Sequence, residues 1–323
     1  MTNHVSLRRD ALSALQQAAI PPRRLMLLFC AISFGVALVS TFLNFVLQMQ
    51  AGSIAGGLAN MGTFALLQTV QSTLSLAHSI LLPFWQAGLT FVSILWIRRI
   101  SAGPGDLLQG FRKFGPILRL SLLQGLLIFL VCLLCLHIGL SIFLITPFAA
   151  PMSKVLTPEL ADAILENPEL VLSLLPMESL MSSMIAFLVI FLVLVIAGIV
   201  VVLYPLRLAN YLLLDGQTHR AIEAMMVSFQ LLRRNLKLLF RVDLSFWWYY
   251  VLEGLLLAVC YLDMVLPALG IVLPIEGNLL FFLCYVVYLL GSTGLEIWAG
   301  PLLHTTYAGV YAHLLPPENP TNG

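Results

Sequence analysis

LMLLFCAISFGVALVSTFLNFVLQM, Leu25–Met49, contains no charged side chain, and no Asp, Glu, Lys or Arg follows it until Arg98. About 20 apolar residues already cross the hydrocarbon core of a bilayer, so a stretch of this length holds two crossings. A small-residue segment, AGSIAGGLAN, with Gly52, Gly56 and Gly57, supplies the turn between them. The second crossing, Phe64–Ile97, is too long for a perpendicular helix. Its first part is expected to lie at the interface, with Pro83 kinking the remainder.

Working outward, the same reading finds further apolar runs at 117–145, 184–206, 244–262 and 279–303, six spans with 25–49 and 64–97. The fold class is all-α, a polytopic membrane helical bundle. Residues 1–24 form a cytoplasmic amphipathic lead, 25–315 a single six-span membrane domain, and 316–323 a disordered cytoplasmic tail. Composition agrees: 60% of residues are hydrophobic, 10% are charged and the mean hydropathy is +0.99, whereas about a quarter of the residues in a soluble domain are charged.

Net charge is only +1, and the distribution of the charges carries the information. Arg8, Arg9, Arg23 and Arg24 precede the first span; Arg98, Arg99, Arg112, Lys113 and Arg119 fall between or flank the second and third. Arg207, Arg220, Arg233, Arg234, Lys237 and Arg241 fall between the fourth and fifth. Lys154 alone lies on the other side, in a loop with Glu159, Asp162, Glu166, Glu169 and Glu178, while Asp263 and Glu276 border the remaining outer loop. Cationic flanks stay in the cytoplasm during insertion, so both termini are expected there. A cleaved secretory signal does not fit, because the first apolar run is about twice the length of a typical h-region of roughly 7–15 residues.

Three amphipathic segments lead into the span pairs: VSLRRDALSALQQAAI, GDLLQGFRKFG and THRAIEAMMVSFQLLRRNLKLLFR. The third is the strongest. Ala221, Ile222, Met225, Met226, Phe229, Leu232, Leu236, Leu239 and Phe240 recur at helical spacing, Arg233, Lys237 and Arg241 step by four, and Thr218 reads as the N-cap. Such a helix lies in the headgroup plane with its cations near anionic lipid, and Arg233, Arg234, Lys237 and Arg241 form the candidate anionic-lipid face. In the outer loop, Thr157-Pro158-Glu159 and Asn167-Pro168-Glu169 predict two short helices.

Ionisable residues inside spans are the best pointers to a site. Glu253 is expected near the bilayer midplane, roughly 15 Å from the cytoplasmic end of the fifth span, and Glu296 lies above the same end of the sixth. A charge at the bilayer centre costs about 2.5–3.5 kcal/mol on insertion scales and normally faces the bundle interior, paired or protonated. With Arg207 and His304 these two carboxyls form the candidate intramembrane polar site. Asn44, Gln68, Gln71, Gln86, Gln124, His78 and His137 are weaker signals, expected to hydrogen-bond across helices. Cys30, Cys132, Cys135, Cys260 and Cys284 all fall in spans, where burial raises a thiol pKa, so the C-x-x-C of Cys132 and Cys135 reads as helix packing. No catalytic, nucleotide or metal signature is present; no cofactor and no nucleic-acid partner are expected.

The run YPLRLANYLLLDGQTHRAIEAMMVSFQLLRRNLKLLFRVDLSFWWYYVLEGL and the later GSTGLEIWAGPLLHTTYAGVYAHL resemble a bacterial family of multi-pass integral membrane proteins known as a domain of unknown function. That family is similar in turn to the membrane domain attached to some glycerophosphodiester phosphodiesterases. Asp215, Ala224 and Ser228 carry the likeness, with Leu239, Phe240, Leu244, Ser245, Phe246 and Trp248, then Pro301, Thr305 and Tyr311, and, earlier, Gly110 and Phe111. The resemblance spans roughly 100–314. It implies a membrane domain and no activity, since the hydrolase of those fusions is a separate soluble domain. The leading expectation is therefore a non-enzymatic protein of the bacterial plasma membrane that binds or organises lipid or a membrane-protein partner. The alternative is a small transporter or permease-like subunit with a polar pathway near Glu253 and Glu296.

Overall fold

A computed structural model describes residues 4–54, 61–147, 177–262, 266 and 277–315. The outer-loop acids up to Glu169, Lys154, the two short helices expected there, Asp263, Glu276 and the tail 316–323 lie outside these residues. Every regular element among the described residues is helical: α1 (His4–Gln16), α2 (Pro22–Ile54), α3 (Met61–Ile97), α4 (Gln109–Arg112), α5 (Phe114–Ile145), α6 (Met177–Leu203), α7 (Ala209–Asp215), α8 (Ala221–Ser245), α9 (Trp247–Val259) and α10 (Gly277–Leu314). Short 3-10 turns, Pro104–Leu108 and Tyr204–Leu206, precede α4 and α7.

Five stretches are long and apolar enough to cross a membrane: Pro22–Leu47, Phe64–Ile97, Phe114–Ile145, Ser182–Asp215 and Leu279–Leu314. A sixth crossing results if α8 and α9, bent by 61° at the joint, count as one. The chain is an all-α multi-pass membrane protein. Pro83 lies inside the single helical element α3. The span expected at 244–262 differs from the sequence reading: it is divided, because α8 ends at Ser245 and α9 begins only at Trp247. Glu253 therefore stands six residues, roughly 9 Å, beyond the bend rather than about 15 Å.

The chain divides into two compact units. One comprises Met1–Leu120 with Leu208–Gly323, the other Ser121–Arg207, the boundary falling inside α5. In the first unit the core gathers where α2 starts and α3 ends. Leu25, Met26, Phe29, Cys30, Trp85, Leu89, Val92, Trp96, Ala102 and Leu107 pack together, and Trp85 Nε1–H donates to the Phe29 carbonyl at 3.0 Å. Two glycines make this packing close: a Cβ on Gly88 would run into the Leu107 carbonyl, and one on Gly110 into the Phe84 carbonyl. Phe111 and Phe114 then stack on Phe84, at 5.6 and 4.5 Å between ring centroids. The second lead segment is thus a 3-10 turn and a single α turn pressed against α3, where the backbone must follow the neighbouring helix.

The amino-terminal lead is part of the same core: α1 buries Leu7, Ala11 and Ala14. Beyond it, α7 ends on Gly216, whose φ of 81° is the left-handed conformation that glycine adopts without steric cost. The Thr218 N–H then returns to the Leu212 carbonyl at 3.3 Å. That closure keeps Thr218 out of the capping position, and the N-cap of α8 is Arg220.

In the second unit, α5 and α6 meet through small residues. Gly198 lies against Val131 and Cys135, Gly139 against Leu194 and Phe191, and the Cys135 thiol donates to the Leu194 carbonyl at 3.3 Å. Most of the apolar surface of α6 is uncovered by protein, Val201 being 71% exposed and Met184 65%, as expected of a helix solvated by lipid.

Gly110→Val is expected to lower the thermal midpoint of the detergent-solubilised protein, the overpacking costing about 1–3 kcal/mol. Gly105→Ala, at a position with open space around the added carbon, should leave the midpoint unchanged.

Candidate functional site: a polar ladder on the last helix

Tyr288, Ser292, Glu296, Gly300, His304, Tyr307 and Tyr311 recur at every third or fourth residue of α10, which sets them on one slowly winding stripe. From first to last the stripe rises roughly 35 Å at 1.5 Å per residue, comparable to the hydrocarbon thickness. Each of its polar side chains meets a polar group. At the top, Ser292 Oγ–H and Tyr288 O–H donate to Glu253 Oε1 at 2.8 and 3.4 Å. The other oxygen, Glu253 Oε2, is buried without a hydrogen-bond partner, and an unsatisfied buried acceptor costs about 1–3 kcal/mol.

One rung lower, both oxygens of Glu296 are engaged. Tyr249 O–H donates to Oε2 at 2.6 Å, and His304 Nε2 lies 2.8 Å from Oε1. Two residues eight apart on a helix stand about 12 Å apart along the axis and do not ordinarily touch. Gly300 explains the contact. A Cβ there would stand 2.8 Å from Glu296 Oε1 and 2.5 Å from Met26 Cε, so the missing side chain is the space through which the carboxylate reaches down the helix. Pro301 follows and removes one N–H from the ladder of α10 at the same level.

Below this pair, Asp243 of α8 accepts from the hydroxyls of Tyr307 and Tyr250, which are themselves 2.8 Å apart. The lowest rung joins three elements: Arg98 forks across Asp215 with Nη1–Oδ1 at 2.6 Å and Nη2–Oδ2 at 2.8 Å. Tyr311 O–H donates to Oδ2 at 2.8 Å, and its ring stacks on Tyr211 at 5.4 Å. The Asp215 side chain is 4% exposed, and a bidentate guanidinium pair is the strong form of such an interaction. Beside it, Lys113 Nζ donates to the Leu213 and Leu214 carbonyls at 2.8 and 2.9 Å, closing the end of α7. Burial pulls this ammonium below its ordinary pKa range and the Asp215 carboxylate offsets part of the shift.

The structure thus brings together three of the four polar residues singled out from sequence. Glu253, Glu296 and His304 line one ladder. Arg207 belongs to the other unit. The four cations of the candidate lipid face, Arg233, Arg234, Lys237 and Arg241, are all exposed on α8. That helix has three sides. Ala221, Ala224, Ser228, Leu232, Leu239 and Val242 are buried, Ser228 Oγ accepting the Leu208 N–H at 3.1 Å. Ile222, Met226, Phe229, Phe240 and Leu244 are exposed and apolar, and the cations adjoin them. Asn235 breaks the helical geometry with φ −124° and ψ 17° while its Nδ2 donates to the Leu231 carbonyl at 2.9 Å. Of the weaker polar signals, His78 lines a cavity of about 240 Å³ with Trp85, Leu108 and Phe111, whereas Gln68 and Gln86 are exposed. No group of three or more metal-ligating side chains occurs among the described residues.

Sequence reasoning missed Tyr249, Tyr250, Asp243, Tyr307 and the role of Gly300. The signal for the last was E-x-x-x-G-P-x-x-H, Glu296 to His304, a glycine midway between two ionisable residues on one helix face. Comparison of the chain with family models, with curated proteins and with solved structures gives no match.

Filling the notch should uncouple the pair. Gly300→Ala and His304→Ala are each expected to destabilise the protein, and their double-mutant cycle should give a coupling of about 0.5–3 kcal/mol. Strict additivity of the two thermal shifts would mean that Gly300 has no part in the contact.

Proposed function

We propose that the chain is a non-enzymatic protein of the bacterial plasma membrane, with both termini cytoplasmic, that binds and organises anionic lipid and through it a membrane partner. The observation that carries the reading is the three-sided build of α8: one side packed on the protein, one exposed and apolar, one bearing Arg233, Arg234, Lys237 and Arg241. A helix so built rests in the headgroup region with its apolar stripe down. Each cation contributes about 1 kcal/mol beside a negative leaflet. The orientation follows from the cation distribution, and the bacterial membrane from the resemblance to the family of multi-pass proteins.

A second reading, a small transporter or permease-like subunit, draws on one observation: the orphan Oε2 of Glu253 at the head of a ladder of exchangeable protons. Intramembrane carboxyls of this kind mark ion or proton routes elsewhere.

Replacing Arg233, Arg234, Lys237 and Arg241 with Gln should lower the anionic lipid that copurifies with the protein in mild detergent, read by mass spectrometry of extracted lipid. An unchanged lipid profile overturns the lipid reading. For the second reading, Glu253→Gln should abolish proton or ion flux into proteoliposomes without changing expression, and equal flux in wild type and variant removes it.

A further inference from the structure

A cavity of about 400 Å³ opens between α1, the Pro21–Pro22 turn and the α9–α10 pair, lined by Leu12, Leu15, Trp248, Trp298, Arg8 and Arg23 among others. We propose that it seats one anionic phospholipid, the phosphate held between Arg8 and Arg23 and the acyl chains leaving over Trp298. This rests on the reading of the chain as a lipid binder and names a discrete seat distinct from the face of α8.

Four features point to that occupant. Among the described residues, neither Arg8 nor Arg23 is paired with a carboxylate. Arg8 is held in place, its guanidinium 5.3 Å from the centre of the Phe246 ring, which is fully buried at the bend between α8 and α9; a guanidinium has five N–H donors, and attraction to a ring leaves donors for a phosphate. Arg23 stands in the first turn of α2, a 33-residue helix with no acid in that turn, so the helix dipole adds to its charge. The rest of the wall is chiefly apolar and aromatic. That excludes a free, fully hydrated anion as the best fit and favours a ligand with a charged head and an apolar stem.

Size and position agree. The volume lies within the roughly 300–1,000 Å³ of small-ligand sites, enough for a phosphoglycerol head and the first part of its chains but not for two whole chains. Trp248 and Trp298 meet edge to face at 5.3 Å, and Trp298 is 59% exposed. Indoles with one wet and one apolar side are the residues that settle at the headgroup level.

The test is native mass spectrometry of the full chain in mild detergent, titrated with phosphatidylglycerol, with phosphatidylcholine, and with glycerol 3-phosphate as the soluble arm. Wild type is expected to bind one phosphatidylglycerol roughly tenfold more tightly than phosphatidylcholine, and R8Q/R23Q to lose that preference. The variant lacking the four α8 cations should keep it. Arg23 is exposed, so Arg23→Gln alone, folded by its thermal midpoint, should weaken the first phosphatidylglycerol about fivefold. Equal affinity in wild type and R23Q, with the anionic preference intact, overturns this seat and leaves the lipid reading standing. Binding of glycerol 3-phosphate as tight as that of the lipid overturns the lipid as occupant. No anionic preference in wild type overturns both.

Discussion

A polar side chain inside a lipid-solvated bundle has no water to fall back on, so it must find its partner within the protein or carry the cost of desolvation. The stripe on α10 is the answer of this chain to that constraint. Its rungs face α9 through Glu253, Tyr249 and Tyr250, then α8 through Asp243, then α7 and α3 through Asp215 and Arg98. Each hydrogen bond fixes the height of one neighbouring element against α10. Apolar packing alone would do this poorly, because side chains of similar size slide past one another at little cost while a misplaced carboxylate does not.

The same logic accounts for where the first unit is densely packed. Its buried residues concentrate toward the cation-bearing ends, in α1, the start of α2, the end of α3, α7 and the last turns of α10, whereas the part of α3 before Pro83 is largely exposed. Lipid tails are as apolar as leucine, so helices gain little by burying apolar surface against each other in the hydrocarbon. Where water meets the bilayer the hydrophobic effect returns, and there the protein builds an ordinary core. The chain accepts some strain to finish it: Arg99 takes a φ of 59° at the turn that ends α3, where the Ile100 N–H closes on the Leu95 carbonyl. A left-handed non-glycine residue costs about 1–2 kcal/mol, and Arg98, one position earlier, is the residue aimed at Asp215.

Much of the architecture was legible because charge is scarce. A run from Leu25 to Ile97 without Asp, Glu, Lys or Arg reads as membrane helices whatever the details, and Glu253, Glu296 and His304 stood out as ionisable residues in otherwise apolar sequence. What stayed hidden had no local mark. A tyrosine in a span looks like a member of the interfacial belt, so Tyr249, Tyr250 and Tyr307 were indistinguishable from Tyr261 or Tyr285 until the register of α9 against α10 was known. Asp215 and Arg98 are 117 residues apart, and no spacing rule connects them. The bend after Ser245 was equally silent, since LFRVDLSFWW contains neither proline nor glycine; it arises where Phe246 is buried and the chain must leave one helix direction for another.

That bend ties the amphipathic surface to the ladder. At 13 residues, α9 is roughly 20 Å long, and it leaves α8 at a bend of 61°. Asp243, on the last turn of α8, holds the third rung through Tyr250 and Tyr307, and Phe246, three residues on, carries Arg8. A helix bearing four exposed cations on one side and a ladder carboxylate on its final turn cannot tilt without moving that carboxylate. The cation-bearing face of α8 and the ladder thus share one helix, and the next element, α9, reaches the pair formed by Glu296 and His304 through Tyr249 on its first turn.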